Sequence, residues 1–255
     1  MSSHESGGPG PIGWHGAWER LDMPPTLQEP PESLMTILSY PPEMGNTPVP
    51  LLDPSRMSRE VAKSLRNMNP NDPIDSDAPG LVFPRKRDQV LRVSEQESKI
   101  LVSQWLQDNG FIYSIETPTS STYRQKGMVD LSARTDVTVY HSRDLESRAL
   151  NIELKSGNPP QEQFRKDLEK LLQEKTDGLW FHTLTNANPA TWKALEGKIH
   201  RSLEDPTVPT DAATHSIHFA FCVLRGPKDQ YFWDFNLDFG GDWVSQLGQG
   251  FGPTP

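Results

Sequence analysis

The 255-residue chain holds one cysteine, Cys222, so no disulfide can close within it and no cysteine-rich zinc site can form. Cys222 lies in the apolar run Phe219-Ala220-Phe221-Cys222-Val223-Leu224 and reads as a plain core residue. Long apolar stretches are missing as well, since nothing approaches the ~20 residues that a membrane span requires. Residues Met1 to Gly8 lack the basic and apolar regions of a signal peptide, so a cytoplasmic address and no membrane partner are expected. Positive charge is in deficit, with 25 Lys and Arg against 34 Asp and Glu and a formal net charge of −9. Together with a pI near 5.3 and a mean hydropathy of −0.64, this describes a soluble acidic protein with no general pull toward nucleic acid. Any nucleic-acid site must be a local basic patch.

Proline, by contrast, is abundant at the start, with Pro24-Pro25, Pro30-Pro31 and Pro41-Pro42. Because proline removes backbone donors and favours extended chain, residues 1–88 read as a partly ordered arm. Trp14, Trp18, Leu51 and Leu52 suggest that it drapes over a main domain of residues 89–240, and a disordered leader is the competing reading. Two pieces of this arm have helical spacing: Pro31 to Tyr40, and Ser55 to Met68 with Met57, Val61, Leu65 and Met68. The densest positive cluster, Arg85-Lys86-Arg87 with Arg92, is either a phosphate-contacting patch or a solvated linker.

From Ser94 the pattern becomes regular. Ser94 with Glu97 three positions on matches a capping box, Asn109-Gly110 closes the helix, and Ile100, Leu101, Trp105 and Leu106 supply its apolar stripe. Glu97 falls four residues before Leu101, so it is either the capping residue or a carboxylate at the inward edge of the stripe. Phe111 to Glu116 reads as a strand stopped by Thr117-Pro118, with a polar loop from Thr119 to Lys126. Val129 to Tyr140 forms a second strand, interrupted near Arg134-Thr135-Asp136, and Ser142 to Ser147 turns the chain into a third, Arg148 to Lys155.

That third strand contains Ala149-Leu150-Asn151-Ile152-Glu153-Leu154-Lys155, which places a carboxylate and an ammonium on one face and Ile152 and Leu154 on the other. Two charges on a buried strand are costly unless something pairs or uses them. For a hairpin turning near Leu145, facing positions sum to about 290, which sets Glu153 opposite Val137 and close to Asp136. Asp130 would fall beyond the end of the strand, although a β-bulge could restore it.

The helix Pro160 to Lys175 follows, with Phe164, Leu168, Leu171 and Leu172 on one face. Gln161 either shares that stripe at the end nearest Glu153 or is exposed in the first turn, and Lys166 and Lys170, one helical turn apart, read as the helix's solvated face, with contact to a phosphate backbone as the other reading. Leu179 to Leu184 is a short buried strand, so a strand, helix and strand imply a parallel crossover. A helix after Asn188-Pro189 comes next, then a hairpin of Ser216 to Arg225 with Gln230 to Asp238, and residues 241–255 read as a glycine-rich tail.

Helix, three antiparallel strands, crossover helix and strand, with Asp136 on the second strand and Glu153-Leu154-Lys155 ending the third, resemble the core of the PD-(D/E)XK nuclease superfamily over roughly residues 94–184. The resemblance implies an α/β fold: a mixed central sheet flanked by helices, a restriction-endonuclease-like αβββαβ core and a C-terminal β-hairpin extension. It implies that Asp136 and Glu153 bind a divalent metal, Mg2+ or Mn2+, with Glu97 completing the shell. Lys155 would activate or position the attacking water, and Gln161 would be an accessory residue. The chain departs from the family pattern in having Thr135, not proline, before Asp136, and Arg165 where one branch has tyrosine. The implied function is a metal-dependent DNA endonuclease of restriction or mobile-element defence type, for which a homodimer would suit symmetric double-strand cleavage. Two other readings stay open. One is a catalytically silent nuclease-fold module for nucleic-acid binding or protein assembly, and the other a glycosidase using Asp136 and Glu153 as an acid/base pair.

Overall fold

The computed structural model describes residues 51–69, 73–74, 80–85, 91–123, 131–144, 146–210 and 215–251. Most of the expected arm, Lys86, Arg87, Asp130 and the last four residues lie outside them. The chain is α/β, with a six-stranded mixed open sheet and five helices among the described residues. The strands are β1 (Ile112–Tyr123), β2 (Leu131–Tyr140), β3 (Arg148–Ser156), β4 (Gly178–Asn186), β5 (Ser216–Arg225) and β6 (Phe232–Asp238). They lie side by side in sequence order. β1, β2 and β3 pair antiparallel, β3–β4 and β4–β5 pair parallel, and β6 closes antiparallel on β5.

Helix α1 (Pro54–Asn67) starts where Asp53 Oδ1 accepts the Arg56 N–H at 3.1 Å and proline fills the first turn. Its Met57, Val61 and Leu65 join the core beneath the sheet. Arg66 donates to the Val223 and Gly226 carbonyls at 2.9 and 2.6 Å, which fastens the helix to the end of β5. Helix α2 (Glu95–Asp108) opens with the expected capping box. Helices α3 (Gln161–Gln173) and α4 (Pro189–Leu203) cover the opposite face. A further helix, α5 (Trp243–Gly250), capped by Asp242, forms where a glycine-rich tail was expected.

Strand alternation sorts the core into two layers. Leu150, Ile152, Leu154, Leu179, Phe181, Ala220 and Cys222 pack toward α1 and α2. Trp180, Phe219 and Phe221 pack with Phe164, Leu168 and Leu171 of α3 and Trp192 of α4. Because both faces are covered, β4 and β5 read as nearly unbroken apolar runs. Burial pushes the Cys222 thiol up, as befits a core residue.

Two strand expectations differ from the observed elements. β1 continues through Pro118 to Tyr123, which an edge strand paired only with β2 tolerates because proline's missing N–H there need not cost a ladder bond. The hairpin register is one residue off the expected one: Val137 pairs with Ile152, not Glu153, after an irregularity beside Tyr140. The turn is tightened by Ser147 N donating to the Asp144 carbonyl at 3.0 Å and His141 N to the Ser147 carbonyl at 2.8 Å.

Candidate functional site

The β2–β3 ladder ends at Val137 and Ile152. One further step in this register sets Asp136 against Glu153. There the Leu154 N–H donates to Asp136 Oδ2 at 2.9 Å, so a side-chain carboxylate replaces the strand carbonyl that would have continued the ladder. The strands part, and β2 runs on with β1 alone through Thr135 and Arg134. The Arg134 carbonyl then accepts from Lys170 Nζ at 3.1 Å, reaching across from α3.

The cleft at this parting is filled by charge. Lys170 Nζ lies 2.7 Å from Glu153 Oε1 and 3.0 Å from Asp167 Oδ1, and Lys155 Nζ lies 3.0 Å from Asp167 Oδ2 and 3.9 Å from Glu153 Oε2. From the other side α2 contributes Glu95, 3.9 Å from Lys155, and Lys99, whose Nζ lies 2.8 Å from Asp136 Oδ1 and also pairs with Glu116. Glu116 adopts φ 54°, a left-handed conformation that is rare for its type, and the β1–β2 pairing skips it. Five carboxylates thus face three ammonium groups. The Glu153 side chain is 1 % exposed and that of Lys155 5 %, whereas Glu95 at 34 % and Glu116 at 48 % form the solvent rim.

Burial, reinforced by Asp167 and Asp136, pushes the Glu153 carboxyl up to about 8 against the pull of Lys170 and Lys155. Burial also works against the Lys155 ammonium, but Asp167, Glu153 and Glu95 outweigh it and hold the group above the ordinary lysine range. Lys170 is raised in the same way by Glu153 and Asp167. Burial raises Glu95 too. Beneath Lys155, His182 Nε2 lies 2.8 Å from the Gly157 carbonyl, so this nitrogen carries the proton, and burial drops the imidazole to about 4. Gly157, at φ 68°, supplies the turn that brings this carbonyl back over β4.

The residues singled out from the sequence fall into two groups. Asp136, Glu153 and Lys155 share the cleft. Glu97 is spent at the helix start, where its Oε2 accepts from Ser94 N at 3.2 Å and from Ser94 Oγ at 2.5 Å. It is Glu95, two positions earlier, that faces Lys155. Gln161 ties α3 to α4, its Nε2 donating to the Lys198 carbonyl at 2.9 Å and to Ser202 Oγ at 2.7 Å. Lys166 does lie on the solvated face, 55 % exposed, but Lys170, expected beside it, turns into the cleft at 13 %. One sequence signal was available for this: Phe164, Asp167, Leu168 and Leu171 follow i, i+3, i+4, i+7 spacing, so Asp167 stands inside an apolar stripe and demands a cation. Nothing in the local pattern marks Lys99 or Glu95, which the tertiary packing of α2 brings to the cleft.

Asp136, Glu153, Asp167 and Glu95 bring carboxylate oxygens, the hard donors that a divalent cation takes, to one cleft. In their present arrangement these oxygens point at lysines, and among the described residues no three His, Cys, Asp or Glu side chains are grouped to hold a metal ion. No described helix is long and apolar enough to cross a membrane. Comparison with known proteins finds no matching family model, no matching curated protein and no matching solved structure.

Proposed function

We propose that the chain is a divalent-metal-dependent nuclease of the PD-(D/E)XK type that hydrolyses phosphodiester bonds in DNA, as a restriction or mobile-element defence endonuclease. The observation that carries this reading is the Leu154 N–H to Asp136 Oδ2 bond, which fixes the Asp136 carboxylate at the parting of β2 and β3 beside Glu153. Asp136 and Glu153 would hold Mg2+ or Mn2+, which when bound supplies Lewis-acid stabilisation of the phosphate and a more acidic water. Lys155, kept protonated by Asp167 and Glu153, offers its charge to the phosphate oxygens on which negative charge grows during in-line displacement. Glu95 stands on the solvent side of Lys155, where it orients the ammonium and takes up a hydrogen bond from an entering water.

Incubation of the purified chain with plasmid DNA tests this directly. The expected result is cleavage with Mg2+, none with EDTA, and cleavage lowered by about 10²-fold or more with Lys155→Ala. The seating of lysines on Asp136, Glu153 and Asp167 favours a second reading, a silent nuclease-fold module. Metal-independent DNA binding without cleavage of any plasmid, linear or single-stranded substrate would establish that reading in place of the first.

A further inference from the structure

The Lys170 ammonium sits in a nest of three oxygens from three different elements: Glu153 Oε1 of β3 at 2.7 Å, Asp167 Oδ1 of α3 at 3.0 Å and the Arg134 carbonyl of β2 at 3.1 Å. Two carboxylates and a backbone carbonyl converging on one point are the oxygen set that a hard cation takes, and here a tethered cation occupies it. The side chain that provides the cation is long and flexible, and α3 places its base at the cleft wall, so the ammonium can leave without moving the helix. Lys155 stands apart from this nest: its Nζ lies 3.0 Å from Asp167 Oδ2 but 3.9 Å from Glu153 Oε2, so the near cation of Glu153 is Lys170.

We infer that Lys170 is a tethered counter-ion that competes with the divalent metal for Glu153, so that the free protein binds metal weakly and the site loads fully only when an anion, the DNA phosphate, draws the ammonium away. Lys170 is thus a positioning residue acting through Glu153. This rests on the metal-dependent reading above. Its consequence is that removing the Lys170 charge tightens metal binding, whereas removing a charge that belongs to the reaction would not.

Calorimetric titration of the full chain with Mg2+ alone, without DNA, distinguishes the outcomes. Lys170→Met and Lys170→Gln are expected to bind Mg2+ at least about tenfold more tightly than the native chain, since one competing charge at contact distance is gone. Lys170→Arg should keep the weak native affinity, and Glu153→Gln added to Lys170→Met should abolish the gain. A parallel readout leaves the native chain unmutated: lysine acetylation mapped by mass spectrometry should find Lys170 protected in metal-free protein and exposed by millimolar Mg2+. Equal or weaker Mg2+ binding in both neutral variants, or Lys170 reactivity that Mg2+ leaves unchanged while titration records binding, overturns the role of Lys170 and leaves the nuclease reading standing. Absence of any Mg2+ binding by native and variant chains alike, with DNA or without it, overturns both.

Discussion

The two faces of β3 are built from alternate residues of one strand, yet they are filled differently. Leu150, Ile152 and Leu154 bury plain hydrocarbon toward α1 and α2. Asn151, Glu153 and Lys155 point to the α3 side and are equally buried, at 0, 1 and 4 % exposure. The first face gains stability in proportion to the area it removes from water. The second must desolvate charges whose pairing recovers that cost only in part. A sheet shaped for stability alone would be filled on both sides alike, so the contrast marks the α3 side of β3 as the place where the fold carries a desolvation cost that packing does not require.

The largest effect should come from breaking the charged face. Lys155→Ala or Glu153→Gln is expected to lower Mg2+-dependent plasmid cleavage by about 10²-fold or more, the scale of losing one group that stabilises developing charge. Ile152→Val, one residue away on the other face, should cost about 0.5–1.5 kcal/mol in a urea melt and leave cleavage unchanged. A comparable cleavage loss in Ile152→Val would erase the distinction.

Next in size is the packing that both faces share. Phe164 stacks on Trp180 with ring centroids 4.8 Å apart, directly beside the charged cleft. Phe164→Ala should cost about 3–5 kcal/mol, readable by denaturant unfolding, and Leu106→Ala in the opposite layer about 2–5 kcal/mol. The two layers are therefore expected to be similar in stability and different only in function.

The pH dependence separates them further. His182 has its folded pKa depressed to about 4 from 6.5. Between these values the unfolded chain binds more protons, so stability falls as pH drops from about 6.5 through 4, by roughly 3 kcal/mol in all. Burial raises the Glu153 carboxyl against the pull of Lys170 and Lys155, so above the ordinary carboxylate range the folded chain holds this proton longer than the unfolded one and stability falls as pH rises. His182→Leu should flatten the acid limb and Glu153→Gln the alkaline one in melts across pH 4 to 9. No change in either slope would contradict the assignment of these charges to the α3 side.

Much of the scaffold was legible in the sequence because it rests on local physics. The Ser94–Glu97 box, the stripe of α3, the apolar run of β4 and the turn at Ser142 to Ser147 each follow from neighbouring residues. The composition of the cleft was only half legible. Glu153 and Lys155 stood out as charges on an apolar strand, and the hairpin brought Asp136 near them. Lys170 did not stand out, because a lysine flanking an apolar stripe looks solvated until Asp167 and Glu153 are seen to share its space. Likewise Glu97 and Glu95 both lie in the first turn of α2, and only the packing of that helix decides which one faces Lys155. A pair of substitutions tests that choice: Glu97→Gln should cost about 0.5–2 kcal/mol of stability through the cap, with cleavage little altered, whereas Glu95→Gln should reduce cleavage at unchanged stability.

The most direct test of the central claim is a crystal structure of the chain with DNA and Ca2+, which occupies oxygen sites readily. One ion is expected at the parting of β2 and β3, ligated by Asp136 and Glu153 at about 2.3–2.6 Å, with Lys170 withdrawn from Glu153. Lys170 still seated on Glu153 and no ion in the cleft, with DNA bound in the same crystal, would contradict it.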